Sequence, residues 1–443
     1  MLKLFNTLHN TKEEFKPIDS NNIGMYICGP TVYDKVHIGN GRAFVIYDIL
    51  YRLLCEIYKK EHVTYVRNIT DIDDKINKRA KEKGITIQSL TKEMIKAFHE
   101  DIEALNTLPP NIEPKATEYI EQIKKFIQLL IDNGNAYVAE GHVLFDVTSF
   151  SEYGKLSNRS LDEMISGARV EIAPYKRNPM DFVLWKPALA IDDESSIFDS
   201  PWSKGRPGWH IECSVMSKET LGETFDIHAG GEDLKFPHHE NEIAQSKCAH
   251  KNSEYARYWL HNGFLMVEGQ KMSKSLGNFT TIRDLLDKGI SGAVIRYTIL
   301  KTHYRKPLDF TQSSLKEAEK VLKDLHKDLE NINSSKEIPI EILNALKDDI
   351  NTPKAFAELH TLKSKPEQLK SALEFLGLYD KSFFIKKENK LQIPESEIKQ
   401  LIQERSEAKK NKDWKKADEI RNYLLEKGIV LKDNPDGTTT WEI

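Results

Sequence analysis

Between Gly24 and Tyr58 the chain passes from a short apolar run, GMYIC, through the breaker Gly29-Pro30 and into Ala43 to Tyr58, AFVIYDILYRLLCEIY, which reads as a helix with an apolar face. The next segment, HVTYVRNIT, has the β-branched and aromatic content of a second strand. A strand joined to another strand through a helix suits a right-handed βαβ unit, so a parallel sheet in an α/β fold is the expected architecture. Sheets of this kind bind nucleotides in the crevice beyond the carboxyl ends of the strands. The tetrapeptide His37-Ile38-Gly39-Asn40, followed by Gly41 and Arg42, sits at that junction. Gly39 and Gly41 let backbone N–H groups come close to a phosphate at a helix N-terminus, and His37 can donate a hydrogen bond to the same group.

From about Ile87 to Asn133 the pattern is helical, interrupted by Pro109-Pro110, and from Ala136 to Leu184 it becomes short strands broken by Gly, Ser and Asn, which reads as an inserted subdomain. Strand-like runs return at TFDIHAG and HNGFLMV, separated by a helix beginning near Pro237, and are expected to complete the first sheet. After Phe310 the chain turns to Lys/Glu-rich helical sequence broken at SSKEIP, SKPEQ and KKENKLQIPES, and its last portion, GIVLKDNPDGTTTW, reads as a small hairpin with an Asp-Gly turn.

With 443 residues, two to four domains are the starting expectation, and a hydrophobic fraction of 39% supplies real cores. The net charge of -4 excludes a global basic field, so any nucleic-acid contact must come from local patches. No stretch approaches the roughly 20 apolar residues of a membrane span, and the N-terminus MLKLFNTLHN has no secretory pattern, so a cytoplasmic address is expected. The four cysteines (Cys28, Cys55, Cys213, Cys248) do not make a disulfide framework.

A second phosphate-directed element is Lys271-Met272-Ser273-Lys274-Ser275, where two lysines three apart on a Gly- and Ser-containing loop can stabilise the negative charge of a departing pyrophosphate. A third group invites a metal. His238 and Glu242, four apart in FPHHENE, share a helix face, and Cys28 and Cys213 can supply thiolates from different loops. Two sulfurs, one imidazole and one carboxylate suit Zn²⁺. Separate buried cysteines are the alternative, and His239 is a rival to His238, although only His238 has a carboxylate at i+4. The acidic run Asp71, Asp73, Asp74 reads as a solvated or salt-bridged loop.

HIGN and KMSKS together resemble the two signature sequences of class I aminoacyl-tRNA synthetases, with Asn40 standing where the first motif usually ends in His. Cys28-Gly29-Pro30-Thr31, GWHIECS and FPHHENEIAQS are similar to the corresponding segments of cysteinyl-tRNA synthetases, and the resemblance extends from MLKLFNTL to GIVLKD. It implies one Zn²⁺ per chain on Cys28, Cys213, His238 and Glu242, with Mg²⁺ accompanying ATP. His37, Lys271 and Lys274 become the catalytic charges, and His37, Gly39, Asn40, His228, Gly230, Lys271 and Lys274 the ATP contacts. Gly29, Thr70, Trp209 and Asp233 match residues around the cysteine substrate. Trp414, Asp418 and Asp433 fall in the region that reads the anticodon, where Lys409, Lys410 and Lys412 add a phosphate-binding patch.

The fold implied is a Rossmann-type parallel-sheet catalytic domain with an insertion, followed by a helical C-terminal anticodon-binding domain. Its expected division is 1–115 and 201–262 for the two halves of the catalytic domain, 116–200 for the connective insertion, 263–310 for the KMSKS loop and stem-contact segment, and 311–443 for the helical domain with its small β element. The partners implied are tRNA(Cys), ATP and L-cysteine, on a monomer with no membrane association. A ligase joining cysteine to a small amine would not need the region after Thr311, and a non-catalytic RNA-binding paralogue would be expected to have lost the signatures.

Overall fold

The computed structural model describes residues 1–160, 163, 173–189, 192–272, 278–384, 393–427, 429–434 and 438–442. Its contacts divide into two compact units, Met1–Lys381 and Ser382–Ile443.

In the first unit, β1 (Ile23–Ile27), α1 (Ile38–Tyr58) and β2 (Val63–Arg67) form a βαβ unit, the two strands running parallel with Met25 opposite Tyr65. All of β1 is buried, which is why it reads as an uninterrupted apolar run. Helix α1 starts at Ile38, ahead of its apolar stretch, because the His37 ring caps it: Nδ1 accepts a hydrogen bond from the Asn40 N–H at 3.2 Å. The HIGN tetrapeptide is therefore the cap and first turn of the helix. Residues Ala43 to Tyr51 are buried without interruption, so α1 is an interior helix rather than a two-faced one.

The sheet is completed by a second crossover: α2 (Trp209–Leu221), β3 (Thr224–Gly231), α3 (Glu240–Ala249) and β4 (Tyr255–Asn262). β3 pairs in parallel with both β1 and β4, giving the strand order β4-β3-β1-β2. The connections from β1 and β3 depart to opposite sides, so a crevice opens between their carboxyl ends. The helix expected from Pro237 begins regularly only at Glu240, since Phe236 is extended (φ −139°, ψ 132°).

The inserted segment contains an antiparallel sheet of Ala136–Ala139, His142–Phe145, Phe182–Pro187 and Gly205–Pro207. Its core joins Ile123, Phe126 and Ile127 to Val143, Phe145 and Trp185, and continues into Ile211 and Val215 of α2 and Ala244 of α3. The insertion thus braces the two helices that carry the candidate ligands.

Beyond β4, Leu265–Val267 pairs antiparallel with Gln270–Lys271 and parallel with Leu308–Phe310. Four helices after Phe310, namely Gln312–His326, Ile340–Lys347, Thr352–Thr361 and Pro366–Phe375, belong to the first unit. Buried Asp349 ties them in, accepting from the Phe5 N–H and the Tyr304 O–H at 2.8 Å each and pairing with Arg305 at 2.8 Å. The second unit packs helices Glu395–Lys410 and Trp414–Glu426 against an antiparallel hairpin, Val430–Asp433 with Thr439–Glu442, around Ile398, Ile420, Leu424, Ile429 and Leu431. The Asp-Gly turn expected there lies outside the described residues. Among the described residues no helix is long and apolar enough to cross a membrane.

Candidate active site

Cys28 follows β1 directly, and Gly230 and Gly231 end the neighbouring β3, so both reach the crevice where the crossovers diverge. Cys213 comes from α2, a helix rather than the loop expected, because Gly208 releases the chain into a regular run from Trp209 to Leu221. Glu242 enters from the first turn of α3 and His238 from the irregular segment just before it.

These four side chains converge in the interior, with ligand atoms of Cys28, Cys213, His238 and Glu242 all within 4.8 Å of one another. Cys28 Sγ lies 3.8 Å from Cys213 Sγ and 3.7 Å from Glu242 Oε1, and His238 Nε2 lies 3.0 Å from the same carboxylate oxygen. Glu242 Oε2 points away and is held by the Tyr255 O–H at 2.7 Å and His228 Nε2 at 2.8 Å. One oxygen is thus fixed so that the other faces the cluster, an arrangement common behind metal ligands.

A second overlapping set, Cys28, His228, His239 and Glu242, meets the same distance criterion. His239 Nε2 is 3.3 Å from Cys28 Sγ, but its Nδ1 bonds His261 Nε2 at 2.8 Å, and His228 is engaged with the outer oxygen of Glu242. The first set offers two sulfurs instead of one and borders Trp209, 38% exposed and stacked on His238 with centroids 4.0 Å apart.

Electrostatically the cluster disfavours charge on its own thiols and rings. Burial, then the hydrogen bond with Cys213, pushes the Cys28 thiol well up, and burial holds the His238 and His239 rings well below the ordinary histidine value. At Cys213 the hydrogen bond from Cys28 works downward, yet burial and Glu242 leave the thiol raised. Without a cation these thiols keep their protons. A divalent ion would displace them and balance the buried carboxylate.

Of the residues expected around cysteine, Gly29 and Thr70 lie beside Cys213 through Asn68. Asn68 Oδ1 accepts from the Gly29 N–H at 2.9 Å and sits 3.8 Å from Cys213 Sγ, and its Nδ2–H donates to Thr70 Oγ1 at 3.3 Å. A Cβ on Gly29 would fall 1.6 Å from the Asn68 carbonyl oxygen, so only glycine fits there. Thr70 O–H in turn donates to the buried Glu212 at 3.2 Å. Asp233 is exposed at the start of the turn after β3.

Among the expected ATP contacts, His37 and Gly39 lie at the cap and first turn of α1 with Asn40 exposed, and the Gly230 carbonyl accepts from the Tyr47 O–H at 2.9 Å. Lys271 is exposed on its short strand, and Lys274 lies outside the described residues. His228, expected in the stretch facing adenosine, is wholly buried, with Nε2 bonded to Glu242 at 2.8 Å and its ring stacked on Trp259 with centroids 4.5 Å apart. Tyr255, His261 and Asn68 carry no sequence signal, because β4 and the end of β2 bring them to the site only through the sheet.

Residues 14–320 match the family model of the class I (C) tRNA synthetase catalytic domain. The chain is also 53% identical to the cysteine–tRNA ligase of Methylocella silvestris, covering 100% of this chain and 99% of that protein. It belongs to the cysteine–tRNA ligase family. Another member, from Wolbachia sp. subsp. Drosophila simulans, is 50% identical over 100% of both chains. The architecture is shared more widely among class I synthetases. A Mycobacterium tuberculosis methionyl-tRNA synthetase solved with methionyl-adenylate superposes with a TM-score of 0.56 at 13% identity, over 80% of this chain and 89% of that one. A LeuRS–tRNA–LeuAMS complex from Agrobacterium radiobacter gives 0.55 at 11% identity, over 82% and 84%.

Residues 395–441 match the cysteinyl-tRNA ligase anticodon-binding domain model. In this family member Trp414 is 61% exposed at the start of its helix, and Asp418 is exposed one turn further on. Asp433 is committed internally: Arg405 grips both its oxygens at 2.8 and 3.0 Å, and Lys409 adds a contact at 2.7 Å. Those cations hold its carboxyl far below the usual range.

Proposed function

We propose that the chain activates cysteine with ATP to cysteinyl-adenylate and transfers the cysteinyl group to the 3′-terminal adenosine of tRNA(Cys). The observation that carries this reading is the buried Cys28–Cys213–His238–Glu242 cluster at the carboxyl ends of β1 and β3, inside a class I catalytic domain. A Zn²⁺ ion suits these donors and would supply a soft Lewis acid that takes a thiolate far better than a hydroxyl. Size alone would separate cysteine from serine by only about 1–3 kcal/mol, so a selective donor set removes the need for a separate editing site.

The protein's own groups orient the rest of the substrate. Trp209 walls the pocket, Gly29 and Thr70 border its floor, and Asp233 receives the ammonium group. The cysteine carboxylate attacks the α-phosphorus of ATP, the bond to the β-phosphate bridging oxygen breaks, and pyrophosphate leaves. His37, Lys271 and Lys274 stabilise the charge that moves onto the phosphates, with Mg²⁺ accompanying ATP. Asn40 offers an amide donor in place of the imidazole usual in that motif. No protein nucleophile takes part. Trp414 and Asp418 contact anticodon bases, with Asp433 holding the adjoining hairpin, and a monomer in the cytoplasm suffices for the reaction.

The test is ATP–pyrophosphate exchange without tRNA, with serine as competitor and zinc quantified on the same sample. Exchange supported by cysteine alone, with about one zinc per chain, is the expected result. Absence of exchange in folded, zinc-loaded protein would overturn the reading.

A further inference from the structure

Arg42, two residues beyond the HIGN tetrapeptide, is 0% exposed. Among the described residues it makes no ion pair. Instead its guanidinium donates four hydrogen bonds to main-chain carbonyls: Nη1 to Gly263 at 2.7 Å and Phe264 at 2.8 Å, Nη2 to Tyr304 at 3.1 Å and Lys306 at 2.6 Å. Burial pulls this guanidinium down to about 10. An arginine buried without a counter-ion is costly, so its retention here calls for a specific use.

The four carbonyls define that use. Gly263 and Phe264 lead into the strand Leu265–Val267, which pairs with Gln270–Lys271, while Tyr304 and Lys306 lead into Leu308–Phe310, the parallel partner of the same strand. The two roots are also laced together, Gly263 N–H to Tyr304 O at 2.9 Å and Leu308 N–H to Phe264 O at 3.0 Å. A Cβ on Gly263 would lie 2.8 Å from the Lys306 carbonyl oxygen, so glycine permits the close approach. The far end of the lysine-bearing segment returns to the same turn of α1: Ile38 N–H donates to Thr280 O at 3.0 Å and Ile282 N–H to Val36 O at 3.1 Å. The excursion carrying Lys271 and Lys274 is therefore pinned at both ends to the HIGN turn, by backbone at one end and by Arg42 at the other.

We infer that Arg42 is a positioning residue for adenylate formation, fixing the Lys271 hairpin against the N-terminus of α1 so that the two sets of phosphate-binding groups face one triphosphate. This rests on the function proposed above. Only a planar fork with donors on both terminal nitrogens can span two chain segments in this way, and lysine cannot reproduce it.

The experiment compares wild type, Arg42→Lys, Lys271→Ala and the double variant in cysteine-dependent pyrophosphate exchange, with zinc content measured and amide hydrogen exchange followed on wild type and Arg42→Lys. Arg42→Lys should lower kcat/KM for ATP by about 10- to 100-fold, the scale of a misplaced catalytic group, with the KM for cysteine and the zinc content unchanged. Lys271→Ala should then cost much less in the Arg42→Lys background than in wild type. Additive losses would overturn the inference, as would a fall in zinc content or in protection across β1 to β4, which would make Arg42 a residue of global stability. If wild type itself shows no exchange, the functional reading fails, and hydrogen exchange alone decides on Arg42. Selective loss of protection at Leu265–Lys271 and Leu308 sustains the clamp, and unchanged protection overturns it.

Discussion

Glu242 uses its two oxygens for different tasks, Oε1 towards the thiols and His238, Oε2 towards Tyr255 and His228. Replacing Tyr255 by Phe removes one support without touching a proposed ligand, so zinc affinity should fall by about 10- to 100-fold in chelator competition. Cys213→Ser should go further and cut both bound zinc and the preference for cysteine over serine. Unchanged metal and selectivity would mean that the ligand set is wrong. The spacing of His238 and Glu242 was legible because it is local, and the two cysteines were legible through their resemblance to family segments. The contact of His228 with Glu242 was not legible, since its neighbours in sequence say nothing of a carboxylate 14 positions away.

At the scale of elements, α1 joins the sheet to the segments that follow it. It carries the HIGN turn, Arg42, and Asp48, whose buried carboxylate pairs with Arg296 of the helix Gly292–Leu300 and with Arg52 at 2.8 Å. Arg296 also donates to the carbonyls of Leu376 at 2.7 Å and Leu105 at 3.1 Å. Arg296→Met leaves Asp48 to Arg52 and the Leu108 N–H but unpairs these buried carbonyls, and should destabilise the unit by about 1–3 kcal/mol in urea unfolding. A loss below about 0.5 kcal/mol, the scale of surface substitutions, would show that the network contributes little. The helix itself was evident from its apolar run, but its true start was not, because histidine is not among the side chains that commonly cap a helix, although the cap it makes here is local.

For the whole molecule, the division into Met1–Lys381 and Ser382–Ile443 leaves Trp414 on a unit with its own small core. Trp414→Ala should therefore weaken tRNA charging at least several-fold while sparing pyrophosphate exchange, since stacking of one base on an aromatic ring is worth about 1–3 kcal/mol. Equal loss of both activities would mean that Trp414 supports the fold instead. The helices from Gln312 to Phe375 show why composition alone misplaces such a boundary: their Lys/Glu-rich character resembles that of the last helices, but Asp349, Thr352 and Leu376 bind them to the first unit. The sequence by itself determined the βαβ unit, the phosphate-directed motifs and the local His238–Glu242 pair, because each rests on periodicity or on residue types close along the chain, whereas Cys28 and Cys213 joined that pair only through the resemblance. Only the tertiary structure decided that Tyr255 and His228 stand behind Glu242, that Arg42 gathers four carbonyls, and where the units part. Those contacts join residues from 13 to 264 positions apart, and burial, not local propensity, selects them.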